Sequence, residues 1–193
     1  MVARGLVAAA DAAGEVDLFL DRQEGSLGDF LKIKLQAAAL ERSGLAGSGR
    51  LGFFQNVLCG ILELLMPLAI RWRASGKFVN PNVLTAALEP GPKRDAIRGA
   101  VNVRRTLVKS AGGVVLDTLG LGALGLPDFE VSLGDRMPPP FELMLKSVAR
   151  YEYDLGDVIA DGRTVKGGTE SFRLTRATAS VEPKRDVFVL RPG

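Results

Sequence analysis

Residues 114–131 read VVLDTLGLGALGLPDFEV, and this stretch carries more information about the fold than any other part of the chain. Gly120, Gly122 and Gly125 spell G-x-G-x-x-G after a short apolar run, which is the spacing of a dinucleotide-binding loop. Such a loop needs a helix directly behind it, because the N–H groups at the helix start hold the pyrophosphate. Here Pro127 comes two residues after the last glycine, and strand-like alternation begins at Phe129. The stretch therefore predicts a turn between two strands, and we expect no dinucleotide.

The turn has a local physical explanation. Its glycines permit positive φ angles or a close approach of the backbone to a neighbouring element. Asp117 and Thr118 stand at its start, and we expect their side chains to cap it by accepting hydrogen bonds from backbone N–H groups. The stretch thus indicates a strand, a compact turn and a second strand.

Turn residues and hydrophobic periodicity divide the rest of the chain into helices and strands. The pattern predicts helices over residues 29–43, 53–66, 82–88 and 141–153, the first capped by Asp29 and the third by Asn80. It predicts a loop over 44–52, a turn over 75–77, and strands over 16–20, 68–73, 101–108, 114–116, 129–133, 158–159, 171–181 and 187–190. We therefore predict an α+β fold of one domain, residues 1–193, in which a mostly antiparallel sheet packs against two or three helices. Residues 53–193 form its core, and residues 1–52 form a poorly defined amino-terminal part.

The composition is that of an ordinary globular domain. Of the 193 residues, 47% are hydrophobic and 24% are charged. The net charge of +3 is mildly basic, and both signs of charge are mixed along the chain. Only 6% of the residues are aromatic, so the sequence does not suggest a platform for stacking bases. These values argue against a nucleic-acid partner, and weak binding through scattered Arg and Lys residues stays open as an alternative.

The absence of histidine excludes several kinds of active site. Without His the chain cannot carry Ser-His-Asp or Cys-His catalysis, or His-ligated zinc. The single cysteine, Cys59, cannot form an internal disulfide, and the apolar run around it predicts a buried, unreactive thiol. Asp154, Asp157 and Asp161 precede a glycine, but their spacing is not that of an EF-hand loop. We expect no metal and no other cofactor.

The sequence predicts a cytoplasmic protein without a membrane partner. Its most apolar stretch, residues 53–70, contains polar residues and a proline, and falls short of the roughly 20 apolar residues that a span needs. Acidic residues from Asp11 onward interrupt the amino-terminal apolar run too early for a secretory signal. The single cysteine fits a reducing compartment.

Five segments carry a family resemblance. They read LELLMPLAIRWRASGKFV, VNVRRTLV, VVLDTLGLGALGLPDFEV, ARYEYDLGDVIADGRTVKG and SVEPKRDVFVL. Over residues 60–190 the chain resembles the uncharacterised bacterial proteins grouped as domain of unknown function 4261. The resemblance implies a mixed α and β domain, and it implies no established activity and no assigned catalytic residue.

Three hypotheses about function follow. The leading one is a non-catalytic domain that binds another protein, because the chain lacks His, paired Cys and a credible nucleotide loop. The second is a carboxylate-dependent hydrolase that uses Asp117 and Asp128, with Arg104 in the same cleft. It predicts a concave pocket and a raised carboxylate pKa. The third is weak nucleic-acid binding through one continuous basic face.

Overall fold

The computed structural model describes residues 15–19, 30–34, 47–90, 94–108, 113–133, 140–156, 158–167 and 170–193. These residues form two compact units. Unit 1 comprises the described residues up to Asn102 together with Ala123–Gly125, and unit 2 comprises those within Val103–Gly122 and Leu126–Gly193. Each unit contains a sheet and at least one helix, which confirms the α+β class. The single domain over residues 1–193 stays a prediction.

Unit 1 is built on a four-stranded antiparallel sheet with the order β2-β1-β3-β4. Its elements are β1 (Glu15–Phe19), β2 (Phe30–Lys34), α1 (Gly47–Leu65), β3 (Ala69–Trp72), β4 (Lys77–Val79) and α2 (Pro81–Leu88). The predicted start of α2 is confirmed, since Asn80 Oδ1 accepts a hydrogen bond from the Asn82 N–H at 2.9 Å. This cap and the proline behind it set the helix start.

One face of the sheet forms the core of unit 1. Val16 lies opposite Trp72 and Leu18 lies opposite Ile70 in the β1–β3 register, and all four side chains are fully buried. Side chains alternate along a strand, so these four share one face. The Phe54 ring of α1 meets the Trp72 indole edge to face, with ring centroids 5.7 Å apart. Helix α1 therefore contributes to the core around Trp72.

The predicted helix over residues 29–43 is wrong where the structure describes it, because residues 30–34 form β2. Five residues of β2 pair in register with β1. In the sequence Leu31 and Ile33 alternate with lysines, and this period of two is that of a strand. Pairing with β1 stabilises the strand rather than the predicted helix. Asp29 and residues 35–43 lie outside the described residues.

The loop predicted over residues 44–52 is also wrong from Gly47 onward, where α1 begins, and residues 44–46 lie outside the described residues. Leu51 is buried in this first part of the helix, and its packing outweighs the low helix propensity of the neighbouring glycines. The predicted turn over 75–77 holds at Gly76, whose φ is 63°. Its last residue, Lys77, instead starts β4, which the sequence did not predict.

Unit 2 is built on a six-stranded mixed sheet with the order β5-β6-β7-β10-β9-β8. Its elements are β5 (Asn102–Val108), β6 (Gly113–Leu119), β7 (Asp128–Ser132), α3 (Pro140–Leu155), β8 (Thr164–Gly167), β9 (Glu170–Thr178) and β10 (Asp186–Pro192). Four residues separate β5 from β6, a connection that only antiparallel neighbours can make, as predicted. β7 and β10 are parallel, and the other pairs with a described register are antiparallel. The predicted mostly antiparallel sheet is thus confirmed, with one parallel pair that makes it mixed.

Helix α3 lies on one face of this sheet, and carboxylates lie on the other. The Phe141 ring of α3 contacts the Phe172 ring of β9 with centroids 5.4 Å apart. Phe129 of β7 shares the α3 face, because it lies opposite Phe188 and stacks on it at 5.9 Å. Alternation along β7 therefore places Asp128 and its neighbour two residues on, a glutamate, on the face away from α3.

Two details of unit 2 differ from the sequence prediction. Val158 and Ile159 form no strand, and the pairing instead falls six residues later, in β8. β8 pairs with β9 in register from Thr164 with Arg173 to Gly167 with Glu170. The alternation over 171–181 left the buried face of β9 open, and the structure buries Phe172 and Leu174.

Helix α1 has 19 residues, yet no helix in the described ranges combines the length and the apolar character needed to cross a membrane.

Candidate functional site

The turn between β6 and β7 brings together the two carboxylates that the sequence singled out. Asp117 lies in β6 and Asp128 begins β7, and both side chains are fully buried. A short 3-10 helix, Leu121–Leu124, fills the connection. Gly120 and Gly125 flank it with φ of 127° and 80°, which only glycine adopts readily. The predicted turn between two strands is therefore confirmed.

Asp128, rather than Asp117, caps this turn. Its Oδ1 accepts hydrogen bonds from the Thr118 hydroxyl at 2.8 Å and from the Leu121 N–H at 3.2 Å. The Thr118 Oγ1 in turn accepts one from the Phe129 N–H at 2.8 Å. The predicted role of Asp117 in capping is wrong, because its carboxylate is occupied by arginines.

Arg185 joins the two carboxylates. Its Nε donates to Asp128 Oδ2 at 3.0 Å, and its Nη2 donates to Asp117 Oδ2 and to the Thr118 carbonyl, the latter at 2.6 Å. Its Nη1 donates to the Pro183 carbonyl at 2.8 Å. The side chain is 12% exposed. Arg185 thus bridges the two carboxylates by one charge-assisted hydrogen bond to each.

Arg104 binds Asp117 from the other side. Its Nε donates to Asp117 Oδ1 at 3.3 Å, and its Nη2 donates to Asp117 Oδ2 and, at 3.0 Å, to the Glu182 carbonyl. Its side chain is 24% exposed. The four residues Asp117, Asp128, Arg104 and Arg185 are called the Asp–Arg cluster below. It contains all three site residues predicted from the sequence and one, Arg185, that the sequence analysis missed.

The segment 179–185 between β9 and β10 is tied to this face of the sheet. Glu130, which lies opposite Asp117 in the β6–β7 register and is 2% exposed, accepts a hydrogen bond from the Ser180 N–H at 2.9 Å. Lys184 Nζ donates to the Ala179 and Ser180 carbonyls at 3.1 and 3.2 Å. The cluster and these bonds together fix the position of the segment 179–185, which carries Arg185.

Burial raises the pKa of the Asp128 carboxyl above its ordinary value of 3.8. The Arg185 charge opposes this increase most strongly, and the hydrogen bonds from Thr118 and Leu121 oppose it further. A raised carboxyl pKa is typical of a general acid. Here, however, Asp128 Oδ1 accepts two hydrogen bonds and Oδ2 binds Arg185, so both oxygens are engaged by groups of the same chain. The geometry is that of a neutralised structural cluster.

We expect Asp128 to titrate above 3.8 in the native protein, because desolvation disfavours its charged form. A ¹³C NMR titration of the side-chain carboxyls measures this directly. Since the native pKa exceeds the unfolded one, this group contributes stability that is present below pH 3.8 and is lost as pH rises through the native pKa. A native Asp128 pKa at or below 3.8 would contradict the prediction.

The remaining candidate residues do not assemble into a site. Asp154 forms an ion pair with Arg150 on α3 at 3.5 Å, and Asp161 Oδ1 accepts a hydrogen bond from the Arg176 N–H at 2.8 Å. Asp157 lies outside the described residues. In the described part of the chain no group of three or more His, Cys, Asp or Glu residues is arranged to hold a metal ion.

A second candidate site lies in unit 1, and the sequence analysis did not anticipate it. It is a groove of about 670 Å³ between the carboxyl end of α1 and helix α2. We call it the apolar groove, and its lining is Leu62, Glu63, Met66, Pro67, Leu68, Asn80, Pro81, Asn82, Thr85, Ala86 and Glu89. This volume falls within the range of small ligand sites and also admits a few side chains of a partner.

Large apolar side chains are exposed around this groove. Met66 and Leu68, which line the groove, are 79% and 60% exposed. Nearby on α1, Cys59 is half-buried rather than fully buried as predicted. Burial and the Glu63 charge raise the pKa of its thiol, which favours the unreactive protonated form.

Comparison with known proteins identifies a family resemblance in the carboxyl-terminal part of the chain. Residues 117–191 match the model of the family described as Domain of unknown function (DUF4261). The match begins at Asp117 and includes Asp128 and Arg185, so three of the four residues of the Asp–Arg cluster lie inside it. It confirms the predicted resemblance over these residues, and the resemblance over 60–116 stays a prediction. No curated protein and no solved structure gives a match to the chain.

Proposed function

We propose that this protein is a non-catalytic domain that binds another protein through the apolar groove of unit 1. The observation that carries the proposal is Met66, whose backbone has a φ of 43° while its side chain stands 79% exposed at the groove. A left-handed backbone is costly for residues other than glycine, by roughly 1–2 kcal/mol. The backbone is therefore strained at Met66, the residue whose flexible thioether side chain is exposed to solvent.

The position of Met66 makes this strain informative. Met66 directly follows α1, and its N–H donates to the Leu62 carbonyl at 2.9 Å, as in a helix that ends on a left-handed residue. Glycine or asparagine usually occupies such a position. Strained residues cluster at binding and active sites, where the side chain compensates for the backbone. A Met here adds nothing to the buried core, and Met is frequent on surfaces that bind peptides.

The exposure of neighbouring residues supports the same surface. Leu68, two residues after Met66, also lines the groove and is also mostly exposed. Single exposed apolar residues are ordinary, whereas a contiguous group beside a concavity marks an interaction surface. The groove and this group together supply the apolar anchor pocket and rim that a protein partner requires.

A photo-crosslinking experiment tests the proposal. Benzoylphenylalanine placed at Leu68 is expected to capture a partner that the same group at Leu107, also exposed but on β5, does not capture. The captured protein is then purified and titrated against the wild type and Met66→Gly by calorimetry. We expect Met66→Gly to weaken binding at least about tenfold through loss of a buried side chain. Its free energy of unfolding should not fall, because glycine relieves the strained backbone.

Two results would overturn the proposal: equal crosslinking at both positions, or unchanged affinity of Met66→Gly for the purified protein. A Met66→Leu variant is the matched control for side-chain volume. It retains an apolar group in the groove and should keep most of the affinity.

The hydrolase alternative has one observation in its favour, the raised pKa of Asp128 beside a second carboxylate. Two guanidinium groups and two further donors bind these carboxylates, so that each of their four oxygens already accepts a hydrogen bond from this chain. Arg104 and Arg185 are likewise engaged inside unit 2, which weakens the nucleic-acid alternative. We retain the cytoplasmic location as part of the proposal, on the grounds of the single cysteine.

A further inference from the structure

We infer that the occupant of the apolar groove is a basic amphipathic peptide segment of the partner, with an apolar residue for the groove and Lys or Arg residues beside it. The inference rests on the proposed function and specifies the chemistry of the partner. Its basis is the juxtaposition of Glu63 and Glu89 with the exposed Met66 and Leu68 along one groove.

The charged lining of the groove is acidic throughout. Among the residues that the structure describes, the charged lining consists of Glu63 and Glu89, and no Lys or Arg of these residues contributes to it. Both side chains are exposed, and neither forms an ion pair with a residue that the structure describes. Within the described residues no cation neutralises their negative charge.

Both carboxylates lie at the carboxyl end of a helix, where a negative charge lowers the stability of the isolated protein. Glu63 lies in the last turn of α1 and Glu89 is the C-cap of α2, and neither helix has a basic residue in its last turn. A helix carries partial negative charge at its carboxyl end, so an acidic residue there is unfavourable. A cation on the partner would relieve the repulsion at both helix ends at once.

The amino end of α2, which also lines the groove, does not offset this negative charge. Its N–H groups are partly engaged, since Asn80 Oδ1 accepts from the Asn82 and Val83 N–H groups at 2.9 and 3.4 Å. The partial charge of about half a unit at a helix start is also smaller than that of two carboxylates. The groove therefore favours cations over anions.

The groove chemistry favours a peptide over the other large partners. Nucleic acids and anionic lipid headgroups would place phosphates against Glu63 and Glu89, which is repulsive. An amphipathic helix instead places an apolar anchor and a charged residue one turn apart on one face. On the protein side, Glu63 and Met66 both line the groove. A partner helix can thus meet both with neighbouring turns.

Three synthetic peptides test the inference by fluorescence anisotropy. One is a helical Leu–Lys peptide with an apolar and a basic face, one is its Leu–Glu counterpart, and one is a Lys–Ser peptide without apolar anchors. We expect the Leu–Lys peptide alone to bind, more weakly as salt is raised. Glu63→Gln/Glu89→Gln should weaken it about fivefold or more, which corresponds to two exposed charge pairs. The control Glu142→Gln/Asp154→Asn removes two carboxylates from α3 and should leave binding unchanged.

The outcomes separate this inference from the proposed function. If the Leu–Lys and Leu–Glu peptides bind equally and Met66→Gly weakens both, the groove binds peptides but the basic character is wrong. If the Leu–Lys peptide binds and neither Met66→Gly nor Glu63→Gln/Glu89→Gln weakens it, binding is elsewhere and both ideas fail. Binding by the Lys–Ser peptide, or tighter binding of anionic vesicles, would also overturn the inference.

Discussion

Arg185→Met is expected to lower the free energy of unfolding by about 3–5 kcal/mol, the cost of leaving a buried charge without its partner. In the native protein Arg185 donates to both Asp117 and Asp128, which are fully buried. Met fills a similar volume but donates nothing, so Asp128 loses its guanidinium completely. The loss is a large part of the total stability of a domain, about 5–15 kcal/mol. Urea denaturation followed by circular dichroism measures it.

Arg104→Met is the matched control for this experiment. It removes a guanidinium that is more exposed and that binds only one of the two carboxylates, Asp117, which keeps Arg185. We expect a loss of about 1.5 kcal/mol, the value of hydrogen bonds to a charged group. The double variant Arg185→Met/Asp128→Asn should recover part of the loss, because the unpaired charge is then removed. Equal losses for the two single arginine variants would show that burial of the charge is not what makes Arg185 important.

Gly99→Ala is expected to destabilise unit 1 by about 3 kcal/mol, at the upper end of the cost of overpacking a core. A Cβ on this buried glycine would lie 2.1 Å from Nε1 and 2.4 Å from Cε2 of Trp72, far inside van der Waals contact. Trp72 cannot move aside easily, because it is fully buried and packs against Phe54. Thermal unfolding monitored by Trp72 fluorescence is the appropriate measurement, since Trp72 is the single tryptophan of the chain.

Gly60→Ala is the control for the loss of a glycine. Gly60 lies inside α1, and a Cβ there meets no heavy atom within 4 Å. Replacing a helix-interior glycine with alanine should stabilise the protein by about 0.5–1 kcal/mol. The two substitutions are chemically identical and are expected to have opposite signs. A neutral Gly99→Ala would mean that the turn over residues 96–100 can move away from the indole.

The sequence predicted those elements whose signals are local. The Asn80-Pro81 start of α2 is set by one side chain and one ring, and both act within three residues. The turn after β6 is likewise predictable, because Pro127 and the glycines around it allow few conformations. By contrast, β2 was missed because its strand pattern matters only once β1 is available to pair with it.

The candidate sites, too, were predicted only where the signals are local in the sequence. Asp117 and Asp128 were predicted to be close because they flank one short turn. Arg185 was missed because it reaches them only through pairing of β10 beside β7, across 57 residues of sequence from Asp128. The apolar groove was missed for another reason. In the sequence, Met66 is one more apolar residue at the end of a helix, and only its backbone angle places its side chain in solvent.

The parallel pairing of β7 and β10 also determines when the Asp–Arg cluster can form during synthesis. Parallel strands start at the same edge of a sheet, so the residue before β10 lies beside the first residue of β7. The intervening chain must first build α3, β8 and β9, and contacts that close such long loops form late. On the ribosome, a nascent chain that ends before residue 185 holds Asp117 and Asp128 without their shared arginine. The two carboxylates can therefore be enclosed with their shared arginine only after β10 has paired beside β7.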